Sequence, residues 1–234
     1  MHEKAYPRWV TAAPRPTEDQ QDAAALRLQR RRLVEEAAEA RGKGKRKRAI
    51  ELYRELLTLA PDDCEVHGKL AQLLAEGGDI EAASQSFRAG ALGYHEKGFT
   101  DRAIALLKQA VVHAPLDVEA WLSISAMYVV RDKHKDAHKA LDEARPHFTK
   151  RDHLSASARI LDAHLRLEPR RVDLAVDRAR VAKRQGQRGY GILLLTDLLA
   201  AVEATDRKRL RRALFWLRPT PASLWRWLRN TPAA

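Results

Sequence analysis

Apolar residues return every three or four positions through most of the chain, in short blocks separated by glycine, proline and clustered charge. That period lays the apolar side chains along one stripe of an α-helix. The first block covers residues 18–41, with Leu26, Leu33, Ala37 and Ala40 on its stripe, and the run GKGKRKR at 42–48 interrupts it. A second block at 46–60 carries Ile50, Tyr53, Leu56, Leu57 and Ala60, and Pro61 ends it by withdrawing a backbone donor. Ahead of them, residues 1–17 hold Pro7, Pro14 and Pro16 without any apolar period, which predicts an irregular arm with Trp9 as a candidate anchor.

Nine further helices follow in three groups: 64–76, 79–97 and 100–114, then 118–130, 134–148 and 153–167, then 172–185, 188–204 and 207–217. Gly77, Gly78 and Gly98 supply turns by relieving the steric penalty on positive φ. Thr100 and Asp206 are candidate N-caps, each with a side-chain oxygen near a helix start.

The grouping is an internal repeat. Pro61, Pro115 and Pro169 stand at equal steps of 54 residues, and the segments between them align without a gap. Glu65 pairs with Glu119, Leu70 with Ile124, Ala71 with Ser125, Leu74 with Tyr128, Ala83 with Ala137, Phe87 with Leu141, Gly90 with Ala144 and Leu107 with Leu161. The third copy is looser, matching at Asp173, Ala179, Ala182, Gly191, Leu195 and Leu198 but placing Arg178 where the others have Leu70 and Ile124. Self-similarity at this length means stacked units that bury an apolar face only against their neighbours, with a degenerate copy at the end.

The second copy carries a family pattern. Trp121, Ile124, Ser125 and Tyr128 on one helix, with Ala137, Leu141 and Ala144 on its partner, resemble the tetratricopeptide repeat at a 34-residue register. Leu33, Ala37 and Ala40 with Ala49, Tyr53 and Pro61 fit the same pattern, as do Leu70, Ala71 and Leu74 with Ala83, Phe87 and Gly90. So do Phe87, Ala91 and Tyr94 with Ala103, Leu107, Ala110 and Pro115, so the helix at 79–97 serves two pairs. The resemblance covers roughly residues 30 to 200 and implies an all-α, right-handed solenoid of about ten to twelve helices in antiparallel pairs, with a three-helix super-period. Small residues at Ala71, Ala83, Ala91, Ala103, Ser125 and Ala137 let helices approach closely.

The family resemblance also implies a concave groove lined by the first helix of each pair: Glu65, Gln72 and Glu76, then Glu119, Leu122, Ala126 and Val129, then Val176, Arg180, Lys183 and Arg184. Read in that order the groove runs from acidic through apolar to basic, which suits a peptide or helix with an acidic end. The carboxylate-clamp pattern of chaperone-binding relatives is not matched, since Val34, Gly68 and Leu122 occupy its first positions.

Composition narrows the class further. The 234 residues carry a net charge of +12, distributed as +6 over residues 1–54, −4 over 55–150 and +10 over 151–234. Basic ends attract acidic partners, nucleic acid or anionic lipid, and an Arg-rich solvated helix face gives the same count. Aromatics are only 6% of the chain. The bias toward Ala, Arg and Leu is compatible with a GC-rich bacterial genome. A single cysteine, Cys64, rules out a disulfide within the chain, and no apolar run suits a signal sequence or a membrane span, so the expected address is cytoplasmic.

No arrangement supports catalysis or a cofactor. His134 and His138 stand four apart on one helix without the Glu a zinc-protease helix needs, the 42–48 run lacks the Walker spacing, and GQRGYG at 186–191 falls on a helix–helix turn. Cys64, at a helix start, reads as a small buried hydrophobe. The remaining candidate is the C-terminal stretch 205–234, assigned apart from the repeat domain at 18–204. Leu210, Leu214 and Leu217 form one apolar stripe and Leu224, Trp225 and Leu228 a second beyond Pro219 and Pro221. Two readings stand: a cap on the last repeat, or a docking element in which Trp216, Leu224, Trp225, Trp227 and Leu228 meet a partner or an anionic bilayer. The function expected is a non-enzymatic scaffold that binds a protein through the groove, the tail or both. The alternative is a basic scaffold on nucleic acid or membrane.

Overall fold

The computed structural model describes residues 17–218. Among them are eleven α-helices and no strand: α1 (Glu18–Gly42), α2 (Arg46–Leu59), α3 (Cys64–Glu76), α4 (Ile80–Glu96), α5 (Thr100–His113), α6 (Val118–Val130), α7 (His134–Ala144), α8 (Leu154–Leu167), α9 (Val172–Arg184), α10 (Arg188–Ala201) and α11 (Ala204–Leu217). The repeat is visible in the helix starts. α3, α6 and α9 begin at Cys64, Val118 and Val172, and α4, α7 and α10 at Ile80, His134 and Arg188, each a step of 54.

Local chemistry sets the ends. Asp63, Asp79 and Asp117 cap α3, α4 and α6 by accepting backbone N–H bonds from the first turn, at 3.1–3.2 Å. Neither expected cap holds its place. Thr100 is the first helical residue of α5, turned inward with its hydroxyl 3.2 Å from His95 Nδ1, and Asp206 is the third residue of α11, behind the cap Glu203. The helix expected over 134–148 stops at Ala144, because Pro146 cannot extend it, and the chain continues as short 3-10 turns at Arg145–Phe148 and Arg151–His153.

Each helix packs on its neighbours in sequence, while polar links join helices two apart. Arg30 of α1 pairs with Asp63 at the head of α3, and Gln72 of α3 bonds Gln109 of α5. Arg145 after α7 pairs with Asp177 of α9, and Lys183 of α9 donates to the Trp216 carbonyl of α11. The even helices do the same: Ser84 of α4 bonds Asp117 at the head of α6, Glu119 of α6 holds Arg159 of α8, and Tyr190 of α10 reaches Asp162 of α8. The solenoid therefore has an odd row and an even row, as alternating antiparallel helices require.

The core between the rows is continuous from Leu33 to Ala163. Phe87, Leu107, Ile124 and Leu141 are fully buried in it, and the small residues Ala71, Ala83, Ala91, Ala103, Ser125 and Ala137 all lie at helix contacts with almost no exposure. A separate cluster of Val172, Ala175, Ala179, Leu195, Leu198, Val202, Leu210 and Leu217 holds α9, α10 and α11 together. Ala158, Leu161, Leu174 and Val181 pack between the two. At the other end Leu26, expected on the core stripe of α1, is 47% exposed, because α1 is much longer than α2 and its first turns extend past it. None of the described helices is long and apolar enough to cross a membrane.

Candidate functional site

Three helices per repeat is an odd number, and that decides where the groove residues go. α3 and α9 stand in the odd row and α6 in the even row, so Glu65, Gln72, Arg180, Lys183 and Arg184 are not on the same side as Glu119, Leu122, Ala126 and Val129. The single groove running from acidic through apolar to basic does not form. On α6, Leu122 and Val129 are half-buried, Ala126 is exposed, and Arg159 holds the Glu119 carboxyl below the usual range by direct hydrogen bonds. On α3, Glu65 pairs with Lys69 at 2.7 Å and Gln72 is tied to Gln109. These two faces are already internally satisfied.

The odd row at the C-terminal end is different. Arg180 lines three adjoining cavities, of about 480, 510 and 300 Å³, that run from the turn after α7 across α9 to α11. Toward α7 the surround includes Arg145, Phe148 and Arg184, with Ile160 and Leu161 of α8 as floor. Toward α11 it includes Val176, Lys183, Arg209, Arg212 and Trp216. Asp177 at the centre is committed on both sides, to Arg145 at 2.7 Å and to Arg180 at 2.9 Å. Arg209 and Arg212 have no carboxylate partner among the described residues. The result is a cationic concavity with apolar ground beneath it.

Trp216 completes this surface. α11 turns Leu210 and Leu217 inward against α9 and α10, and Trp216, next to that stripe, stays 63% exposed beside Arg180 and Lys183. Burying a large exposed indole recovers its apolar area. Residues of the expected groove and of the expected tail thus meet in one place: Arg180, Lys183, Arg184 and Trp216. Sequence reasoning missed Arg145, Arg209 and Arg212, although the stretch Arg207 to Arg212 is conspicuously basic. Leu224, Trp225, Trp227 and Leu228 lie outside the described residues, as does the arm before Thr17.

The looser third repeat is explained by the same region. Arg178, on the core position, is only 6% exposed. Its Nε donates to Asp162 at 2.6 Å and its guanidinium lies 4.5 Å over the Tyr190 ring, so a buried charge is paired and stacked. Gly191 is required by close approach, because a Cβ there would meet the Ala179 carbonyl at 3.1 Å and its Cα at 3.2 Å. His134 and His138 take separate partners, Asp132 at 3.0 Å and Glu168 at 3.1 Å. Among the described residues no three His, Cys, Asp or Glu side chains are placed to hold a metal ion. Cys64 is buried with Lys97 Nζ 3.2 Å from its sulfur.

Residues 40–93 match the tetratricopeptide repeat family model. No curated protein sequence matches the chain. Among solved structures, a thermophilic tetratricopeptide protein of Thermus thermophilus is 19% identical, over 87% of this chain and 92% of its own, with a TM-score of 0.31. A tetratricopeptide protein of Parabacteroides merdae is 17% identical over 80% and 87%, with a TM-score of 0.26, and MamA of Desulfovibrio magneticus is 14% identical over 73% and 93%, at 0.27. Likenesses this slight carry no functional argument. The matched segment runs from the end of α1 into α4, and the helix starts of that segment's last two elements recur 54 residues on, so residues 40–93 carry a tetratricopeptide repeat and the rest of the chain repeats its helix spacing.

Proposed function

We propose that the protein is an adaptor that captures an acidic segment of a partner protein on the odd-row face formed by α7, α9 and α11. Tetratricopeptide repeats generally mediate protein–protein interaction. What points to this face is one observation: Arg180, shared by three cavities, stands beside an exposed Trp216, with Arg209 and Arg212 nearby and without a carboxylate partner among the described residues. A partner carboxylate run would answer the arginines, and one apolar side chain would cover the indole. α11 then has two duties, covering the end of the solenoid with Leu210 and Leu217 and presenting Trp216.

The test is affinity capture from cells of the source organism with the full chain and with a triple charge reversal at Arg180, Lys183 and Arg184. The reading predicts that the reversed protein loses a discrete set of partners. An unchanged profile refutes it, and capture of nucleic acid or anionic vesicles in place of protein, lost with the same arginines, reassigns the surface to phosphate.

A further inference from the structure

The seam between α7 and α8 holds two histidines that packing leaves short of polar partners. His164 of α8 is 0% exposed, and neither of its ring nitrogens hydrogen-bonds to any described residue. His138 of α7 lies against it, with ring centroids 5.0 Å apart and planes tilted by 34°. His138 Nε2 is 3.1 Å from Glu168 Oε1, while its Nδ1 is buried without a partner. The charged groups facing the pair are Asp142 on α7, Arg145 just after it, Glu168 at the end of α8 and Arg171 just before α9. Of these, Asp142 is nearest to His164, its Oδ1 standing 3.9 Å from Nδ1.

A buried imidazole without hydrogen bonds is tolerable when neutral and costly when charged. A proton on His164 would lie against the His138 ring, and among the described residues no acceptor stands within hydrogen-bond distance of either His164 nitrogen. Burial pushes the His164 pKa below the ordinary histidine range, and His138, Arg171 and Arg145 act in the same direction against Asp142. The seam is also tied to the groove. Asp142 is 3.5 Å from Arg145, Arg145 holds Asp177, and Asp177 holds Arg180. Asp142 and Arg145 themselves line the cavity next to α9.

We propose that the His138–His164 pair is an acid-operated latch, in which proton uptake parts α7 from α8 and releases the Arg145–Asp177–Arg180 chain that shapes the groove. The coupling to binding rests on the groove reading above; the opening of the seam does not. Because the folded-state pKa of His164 is depressed, its neutral form supports the fold above about 6.5, the unfolded histidine value, and that support is lost as pH falls below it. The device therefore closes at neutral pH and opens in mild acid.

Hydrogen exchange on the full chain at pH 7.5 and 5.5, corrected for intrinsic rates and referenced to α3–α5, reads the seam directly. The amides of α7 and α8 should exchange about tenfold faster at the lower pH, and His164→Leu should abolish the difference. A fluorescein-labelled glutamate-rich peptide with one central leucine, whose carboxylates stay ionised across this window, should bind the wild type about tenfold more weakly at pH 5.5 and the variant equally at both. Equal protection at the two pH values, or faster exchange that persists in His164→Leu, overturns the latch. If that variant does not fold, His164→Gln removes the titrating imidazole with a polar side chain in its place, and an unchanged acceleration then overturns it as well. A peptide that binds at neither pH, with the exchange difference intact, removes the groove reading and leaves the latch standing.

Discussion

Where α3 and α6 bury Leu70 and Ile124, α9 buries Arg178, and that exchange summarises how the α3–α5 stretch differs from the α9–α11 end. In the first, helices begin at Asp63 and Asp79 with side-chain caps and close on a core of Leu, Ala and Phe87. In the second, none of α9, α10 or α11 has a side-chain cap, the cluster is smaller and separate, and a stacked, ion-paired arginine stands in for apolar contact. The first region spends its polar groups on stability. The second leaves arginines and an indole exposed, and there the proposed docking surface lies. In a solenoid each unit is held mainly by its neighbours, so the two regions can differ in stability without one unfolding the other.

That contrast can be broken in order of effect. Phe87→Ala, which empties a fully buried site between α4 and its neighbours, should cost about 3–5 kcal/mol in urea unfolding and reduce exchange protection throughout α3–α5. The matching change at the other end, Leu210→Ala, should cost about 2–5 kcal/mol and confine its loss of protection to α9–α11. If the two variants lose protection over the same helices, the chain is one cooperative body and the contrast fails.

Arg178→Ala removes the partner of Asp162 and the cover of Tyr190. It should cost about 3 kcal/mol, less than a fully buried pair would at its worst because Asp162 retains some solvent, again confined to the C-terminal helices. The smallest effect runs the other way. Gly78, Asp132 and Gly186 occupy the same repeat position with φ of 84°, 56° and 80°, so Asp132 alone carries a side chain in the left-handed region. Asp132→Gly should raise stability by about 1 kcal/mol, less whatever its contact with His134 contributes, as read from the midpoint of thermal unfolding.

These residues also mark how far the sequence could be read. Helix positions and the repeat followed from apolar spacing, because burial in a helical stack is decided by the stripe each helix presents. Asp132 could have been found the same way, since it aligns with Gly78 and Gly186 at the 54-residue step. The groove could not be traced by equivalence alone, because a three-helix period sends equivalent helices to alternate rows, and Glu119 and Arg180 come from such helices. Arg178 looked like a defect until Asp162 and Tyr190 were placed beside it. His164 gave no signal at all: alone in its stretch of α8, it acquires meaning only from His138, a partner supplied by packing.

Row parity and the binding surface are tested together by one comparison, the affinity of the full chain for the glutamate-rich peptide, at pH 7.5, after Arg180→Glu and after Ala126→Arg. Both positions are exposed, one on α9 in the odd row and one on α6 in the even row. The account predicts that Arg180→Glu weakens binding by tenfold or more, roughly the 1.4 kcal/mol of one charge-assisted contact, and that Ala126→Arg changes it by less than twofold. Binding that survives Arg180→Glu, or that moves with the charge placed at Ala126, would contradict it.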